Sequence, residues 1–590
     1  MARTANKDQP QKTVTLPIEE AIHPVIGLQN TILYEQSGVK YAGQPLVNVF
    51  PFASSSTDLV TGVTVPTYRV TGSGMWDLDS NKTLMLVKSH TSIYLYSFVS
   101  GVAPALITTL TCDAANSEVY LETVYGSTEK ASITGFTKYV FLNLPGEAWV
   151  VAYNTRIGSW QTAKLSNTYS TWASATNYSL GDRRIPTVSN GYYYEVSADA
   201  GSSGATEPTW PTTLGDTVVD SGITWICRGR YAGFPTTTSS SVQILDGYIF
   251  VCVGGDIYNS DLDLPDSWPT SNFISTETNP DNLVALAKYK NYIVAFGTNT
   301  IEFFYDAANT NGSPLARQEG IQHNIGCIGQ GAVTQLEDRI FWIAQSGSTY
   351  YSIWELDNFK VKKVSSSEFD NLLTNNLINT TTLYPEVEQY QLLFLSRIAG
   401  KFVLGIPVCM KITSTPVHYD TCYFIDLETN IVSTCSTVSN SLVLSRPFTY
   451  KSFYFWTTTS LAFPGNQYVT FTILTVYGYD SSFVSSSSIS ELFVSLTSVG
   501  TKRLNFGINN YKVLNEVQVN IFPGTPSDSI YWTIQRDQEY TLSSFIPIGG
   551  YRTTRGGRAR EFTCTFHSSA GSTSGYPISM ITFKYTEHNN

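Results

Sequence analysis

The sequence predicts an all-β protein: a roughly six-bladed β-propeller, interrupted by a small inserted β module and followed by a C-terminal β-sandwich-like domain. Three observations predict it. Helical periodicity is almost absent over 590 residues, while 37 Tyr and 30 Phe join Val, Ile and Thr in short runs that suit strands. Charged residues make up only 14%, so Ser- and Thr-rich stretches must supply much of the surface. A strand–turn–strand unit also recurs along the chain.

In that unit an apolar, aromatic strand runs into a polar turn and a second strand returns. It begins at Ile93, Trp149, Ile257, Ile301, Ile353 and Tyr423. Most examples are preceded by another apolar strand and a tight turn, as in Tyr292–Gly297 before Ile301. Successive starts lie 44 to 70 residues apart, except for one gap of 108. A propeller blade needs about four strands in roughly 40–50 residues. The rhythm gives six units, with five or seven open. The long gap holds residues 166–230, a turn-dense, aromatic stretch read as a module inserted at a surface loop.

The expected organisation is an N-terminal arm (1–35), a first propeller part (36–165), the module (166–230), a second propeller part (231–480) and a C-terminal β domain (481–590). Ser485–Ser488 reads as a linker, and Val517–Ile521 alternates with the period of a half-buried strand. Short helices are expected at Pro17–Ile22, Asn282–Lys288 and Ser366–Leu373, the last capped by Ser366 or Ser367. The polar N-terminal arm is expected to be pinned by a partner chain.

The net charge of −11 repels nucleic acid, which counts against a gripping DNA-binder but not against a protein that DNA slips past. No run of 18 apolar residues indicates a membrane span, and Met1–Gln11 lacks the apolar core of a secretory leader. The eight cysteines form no C-x-x-C pair and have no His at ligand spacing, so buried free thiols are expected rather than zinc. The six His are scattered, and neither a Gly-rich phosphate loop nor an H-E-x-x-H motif is legible. No catalytic residue, cofactor or metal is assigned. The carboxylate pairs Glu19-Glu20, Asp77-Asp79 and Asp261-Asp263 read as turn or surface residues.

Three features invite a functional reading. Asp220-Ser221-Gly222-Ile223-Thr224-Trp225 fits the D-x-G-x-T-W core of the Asp-box of sialidase propellers. It occurs once, inside the insertion, where a hairpin turn with a packing Trp accounts for it. Trp172, Tyr192, Tyr193, Tyr194, Trp210 and Trp225 could contact a partner or stack on sugar rings at the module's outside, or form its core. Arg552, Arg555, Arg558 and Arg560, spaced by glycines, suit a carboxylate-bearing protein partner, phosphate or solvent.

The stretch from Val294 to Val364 resembles the packaged-DNA stabilisation, or tail hub (nozzle), proteins of short-tailed bacteriophages. The resemblance rests on Ala295-Phe296-Gly297 with Ile301-Glu302-Phe303, Arg317-Gln318-Glu319-Gly320, Ile325-Gly326-Cys327, Asp338-Arg339-Ile340-Phe341-Trp342 and Val364-Ser365-Ser366. Leu46-Val47-Asn48-Val49-Phe50-Pro51 is similar to the family's N-terminal motif, and the insertion resembles a Gly- and Trp-rich module of phage tail proteins. The family implies a virion protein of the tail, made in the host cytoplasm and assembled as a homo-hexameric ring. Such a ring docks on a head-to-tail adaptor or portal ring, carries tail fibres or spikes, and meets a tail needle or plug. It retains packaged double-stranded DNA and conducts it at ejection without reading its sequence. A lumen that lets DNA slide should avoid a basic lining, because each neutralised phosphate adds affinity. The insertion is expected to face outward, toward fibres or spikes. The alternative is a glycan-binding or glycan-cleaving propeller at the host surface.

Overall fold

A computed structural model describes residues 10–588 except for short intervals, the longest being 50–62, 113–121, 128–137, 384–392, 409–420, 477–488, 522–528 and 568–575. The chain divides into two compact units. One comprises 68–363 with 385–393, and the other 1–67, 364–384 and 394–590.

The first unit contains five four-stranded antiparallel meanders. They are Val70–Asp79 to Val102–Thr111, Glu122–Ser127 to Ser159–Leu165, Val242–Leu245 to Phe273–Ser275, Leu283–Tyr289 to Leu315–His323, and Val333–Leu336 to Lys360–Lys363. The recurrences at Ile93, Trp149, Ile257, Ile301 and Ile353 each fall on the third strand of one sheet. Tight turns close the hairpins. Asp246 (φ 50°) and Gly247 (φ 87°) join Leu245 to Tyr248 in the left-handed region that a two-residue type I′ turn requires.

Consecutive sheets stack face to face, as propeller blades do. Side chains alternate across a strand, so one strand serves two interfaces. Tyr139, Phe141, Val150 and Ala152 pack against Val242, Ile249 and Val251 of the third sheet. Their neighbours Val140, Leu142 and Val151 pack against Leu84, Leu86, Ile93 and Leu95 of the first. Phe250 and Cys252 turn the other way, onto Leu286, Ile293 and Phe304 of the fourth. Phe296 meets Trp342 of the fifth at 5.4 Å between ring centroids. Burial on both faces explains why these strands read as unbroken apolar runs. Polar stitches add register: Asn143 Nδ2 donates to the carbonyls of Ser239 (2.9 Å) and Ser241 (2.8 Å) one blade on.

The recurrence at Tyr423 goes elsewhere. Thr421–Asp426 belongs to a nine-stranded sheet in the other unit, ordered Phe394–Ile398, Lys401–Val408, Thr421–Asp426, Val432–Ser436, Leu28–Gln29, Ser498–Gly500, Phe562–His567, Ser529–Arg536 and Tyr540–Pro547. Residues 394–436, expected in the second propeller part, thus share a sheet with C-terminal strands, joined to them through Leu28–Gln29. Thr421–Asp426 is buried throughout, like a blade strand, so its composition did not distinguish the two settings.

The nine-stranded sheet packs on a five-stranded one containing Lys12–Pro17, Ile578–His588, Tyr511–Ile521, Tyr551–Thr553 and Arg558–Ala559. Ile530, Trp532, Ile534, Phe562, Cys564 and Phe566 face Leu514, Val517, Val519, Ile581, Phe583 and Tyr585 across this sandwich. A seven-stranded sheet includes Leu46–Val49 and Gln467–Val476.

The N-terminal arm is pinned by its own chain. Lys12–Pro17 pairs antiparallel with Pro17↔Met580 and Lys12↔Tyr585 at its ends. Leu28–Gln29 lies between Val432–Ser436 and Ser498–Gly500. Of the expected helices, Ile18–Ala21 is present and Ser367–Leu383 is longer than expected. Ser366 caps the latter, its Oγ accepting from the Phe369 N–H at 3.2 Å. Leu283–Tyr289 is instead a strand, because the turn through Lys290 (φ 53°) folds it onto Tyr292–Gly297. Among the described residues no helix is long and apolar enough to cross a membrane.

Candidate functional site

The inserted module has its own four-stranded sheet, ordered Arg183–Arg184, Tyr192–Ala198, Ile223–Arg230 and Thr217–Asp220. Its core is built from the aromatic set singled out in the sequence, Tyr193 excepted. Trp172, Tyr194 and Trp225 are buried with Tyr178, Val196, Ile223 and Cys227, and Tyr192 and Trp210 pack partly buried against them. Trp210 lies 4.3 Å from Tyr194 and 5.6 Å from Trp225, centroid to centroid. Asp220 is the organiser. It accepts from the Trp172 indole (2.8 Å), the Trp225 indole (3.1 Å) and the Gly204 N–H (2.7 Å). The Asp-box-like motif is therefore a hairpin turn, with Ser221 at φ 57°, and a packing Trp. Burial leaves Trp172, Tyr193, Tyr194 and Trp225 unable to offer ring faces to an external ligand.

Tyr193 and Glu195 point away from this core, as alternation on Tyr192–Ala198 requires. They form a buried ion cluster with the loop that follows Asn259 in the third blade sheet. Glu195 binds Arg183 (3.0 Å) and Arg228 (2.6 Å), while Arg183 also reaches Asp266 at 3.4 Å. Tyr193 donates its hydroxyl to the Asp266 carbonyl at 3.0 Å and stacks on Tyr169 at 4.8 Å. Burial by itself would raise the Glu195 carboxyl, but Arg228 and Arg183 outweigh it and hold it below its ordinary value. Sequence reading missed this cluster. No local signal marked it, because Arg183, Glu195 and Arg228 are three of ten charged residues spread through 166–230.

The arginine cluster is partly assembled. Arg558 and Arg560 are exposed, and both guanidinium carbons lie close to the Tyr511 ring, at 4.5 and 4.8 Å from its centroid. Beneath them buried Lys512 donates to the carbonyls of Asn510 (2.9 Å) and Arg560 (3.0 Å), and burial lowers its pKa. Arg552 lies on the adjoining strand Tyr551–Thr553, paired with Val517, and Arg555 falls outside the described residues.

The carboxylate pairs do local work. Asp261 accepts from Ser267 Oγ (2.7 Å) and Asn272 Nδ2 (3.1 Å), Asp77 accepts from the Thr83 hydroxyl, and Glu19 pairs with Lys40 at 2.8 Å. Among the described residues no three His, Cys, Asp or Glu side chains cluster as a metal site would need. Seven cysteines are free and buried, and Cys409 falls outside the described residues.

The phage-stabilisation family model, described as Bacteriophage P22 Gp10, β-propeller, matches residues 97–395, half of the chain. The match runs from the third strand of the first blade sheet through the module and the fifth sheet. No curated protein matches. A crystal structure of a functionally unknown protein from Desulfotomaculum acetoxidans DSM 771 aligns at 10% identity over 57% of this chain and 96% of that one. Its TM-score of 0.25 is too low to carry an argument.

Proposed function

Because the chain belongs to the phage-stabilisation family of β-propeller proteins, we propose that it is the tail nozzle or hub of a short-tailed phage. In this reading it is a non-catalytic ring of six copies that holds packaged DNA, conducts it at ejection, and docks an adaptor or portal ring above and fibres or spikes around it. The family match is the observation that carries the proposal; it makes the chain a phage structural protein and a virion component. Two properties support the finer reading. A net charge of −11 keeps the protein from gripping a passing duplex. A surface with few charges suits an assembly that buries much of it. The rival glycan reading drew on the Asp-box-like motif and the module aromatics, and most of those rings are engaged in packing.

Mass photometry with negative-stain imaging, on the protein alone and with its adaptor ring, tests the proposal. A particle of about 391 kDa, six copies of the 65.1 kDa chain, with a hole wide enough for a duplex is the expected result. A chain that stays monomeric even with the adaptor overturns it.

A further inference from the structure

Cys422 and Cys435 are register partners on the neighbouring antiparallel strands Thr421–Asp426 and Val432–Ser436. Among the described strand ladders they are the one pair of cysteines placed directly opposite each other. Facing residues share one side of a sheet, and both thiols are fully buried on it. The Asp426 N–H donates to the Ile431 carbonyl at 3.0 Å, and every second pair from there is hydrogen-bonded, which includes Cys422–Cys435. Such pairs hold their Cα atoms about 5.5 Å apart, at the centre of the range that a disulfide spans. Facing Cβ atoms of a hydrogen-bonded pair sit toward the far end of about 4.5–5.5 Å, so closing the bond needs a local pinch of roughly 1–2 Å.

We propose that Cys422 and Cys435 are a latent cross-strand disulfide site, reduced when the chain is made and closed when it meets a disulfide oxidant. One thiolate attacks the oxidant, forming a mixed disulfide and releasing one reduced thiol. The second thiolate then displaces the other. Two protein thiols give up two protons and two electrons, and one oxidised glutathione becomes two reduced molecules. Burial pushes the Cys435 thiol up to about 12 and raises Cys422 well above its ordinary value, so the pair reacts only while the hairpin opens or during folding. The same burial then shields the bond from reductants. The proposal rests on strand register and is independent of the tail reading.

The test uses the full wild-type chain, incubated with oxidised glutathione in mild urea, returned to buffer, then alkylated and mapped by mass spectrometry. The expected result is a Cys422–Cys435 cross-linked peptide, an intact mass lower by about 2 Da, and a raised thermal midpoint that reductant reverses. Cys422→Ser should abolish the shift and Cys252→Ser should keep it. Full alkylation of both cysteines after this treatment, or their preferential pairing with other cysteines, overturns the proposal without bearing on ring assembly.

Discussion

Asp281 precedes the strand Leu283–Tyr289, and its carboxylate gathers the turn between the next two strands of that blade sheet. It accepts from the backbone N–H groups of Thr298 (3.0 Å), Asn299 (2.7 Å) and Thr300 (2.9 Å), and from both Thr hydroxyls. Burial would raise this carboxyl, but these hydrogen bonds outweigh it and lower it. A depressed carboxyl contributes stability that is present above its unfolded value, about 3.9, and is lost as pH falls through the lower folded value. Asp281→Asn should therefore cost about 1–3 kcal/mol near neutral pH, with the gap to wild type closing as the pH drops below about 4. Urea unfolding across pH 3 to pH 7 reads both. Glu195 is a second such position. Glu195→Gln removes the anion between two buried guanidiniums and should destabilise by about 3–5 kcal/mol. Limited proteolysis should then release fragments of residues 166–230 first, and unchanged resistance would refute the clamp.

Leu28–Gln29 is a two-residue strand, yet it connects two halves of a nine-stranded sheet. On one side it runs parallel to Val432–Ser436, and on the other antiparallel to Ser498–Gly500. Gly27 makes this fit possible. A Cβ there would lie 2.4 Å from the His23 carbonyl oxygen and 2.7 Å from that of Gly500, both backbone atoms with little freedom to yield. Gly27→Ala should cost about 1–3 kcal/mol. Hydrogen exchange should quicken in Val432–Ser436 and Ser498–Gly500 while Tyr292–Gly297 in the blade sheets is unaffected. Uniform exchange across all of these strands would refute the local role of the segment. Edge protection is also an element-scale feature. Lys360–Lys363 closes the fifth sheet with exposed Lys360, Lys362 and Lys363, the residue type that discourages edge-to-edge pairing.

At the scale of the whole molecule, the module tests how assembly and attachment separate. Its core is self-contained, but Asp266, buried in the third blade sheet's loop, depends on Arg183 of the module for its ion pair. Deleting 166–230 alone would leave that carboxylate without Arg183, so the deletion is best combined with Asp266→Asn. The combined variant should assemble to the same mass as wild type, read by mass photometry, and should lose affinity for fibre or spike proteins. Loss of assembly in the combined variant would refute an outward, attachment-only role for the module.

Much of this architecture was legible in the sequence because its signals are local. Strand runs, tight turns such as the one between Gly297 and Ile301, the blade rhythm through Ile353 and the interruption at 166–230 all follow from residue types within a few positions. The module aromatics were legible as a group, but whether the rings faced solvent or each other was not. What the tertiary structure decided was partnership. Thr421–Asp426 carries the same apolar pattern as a blade strand, yet pairs with Lys401–Val408 and Val432–Ser436 in the nine-stranded sheet. Lys12–Pro17 finds its partner at the far end of its own chain rather than on another molecule. Glu195 meets Asp266's cluster across about 70 residues of sequence. The physical reason is common to all three. Periodicity records how a strand's own side chains alternate between its faces. Which distant strand covers those faces depends on register and packing across the whole unit, and no window of sequence contains that information.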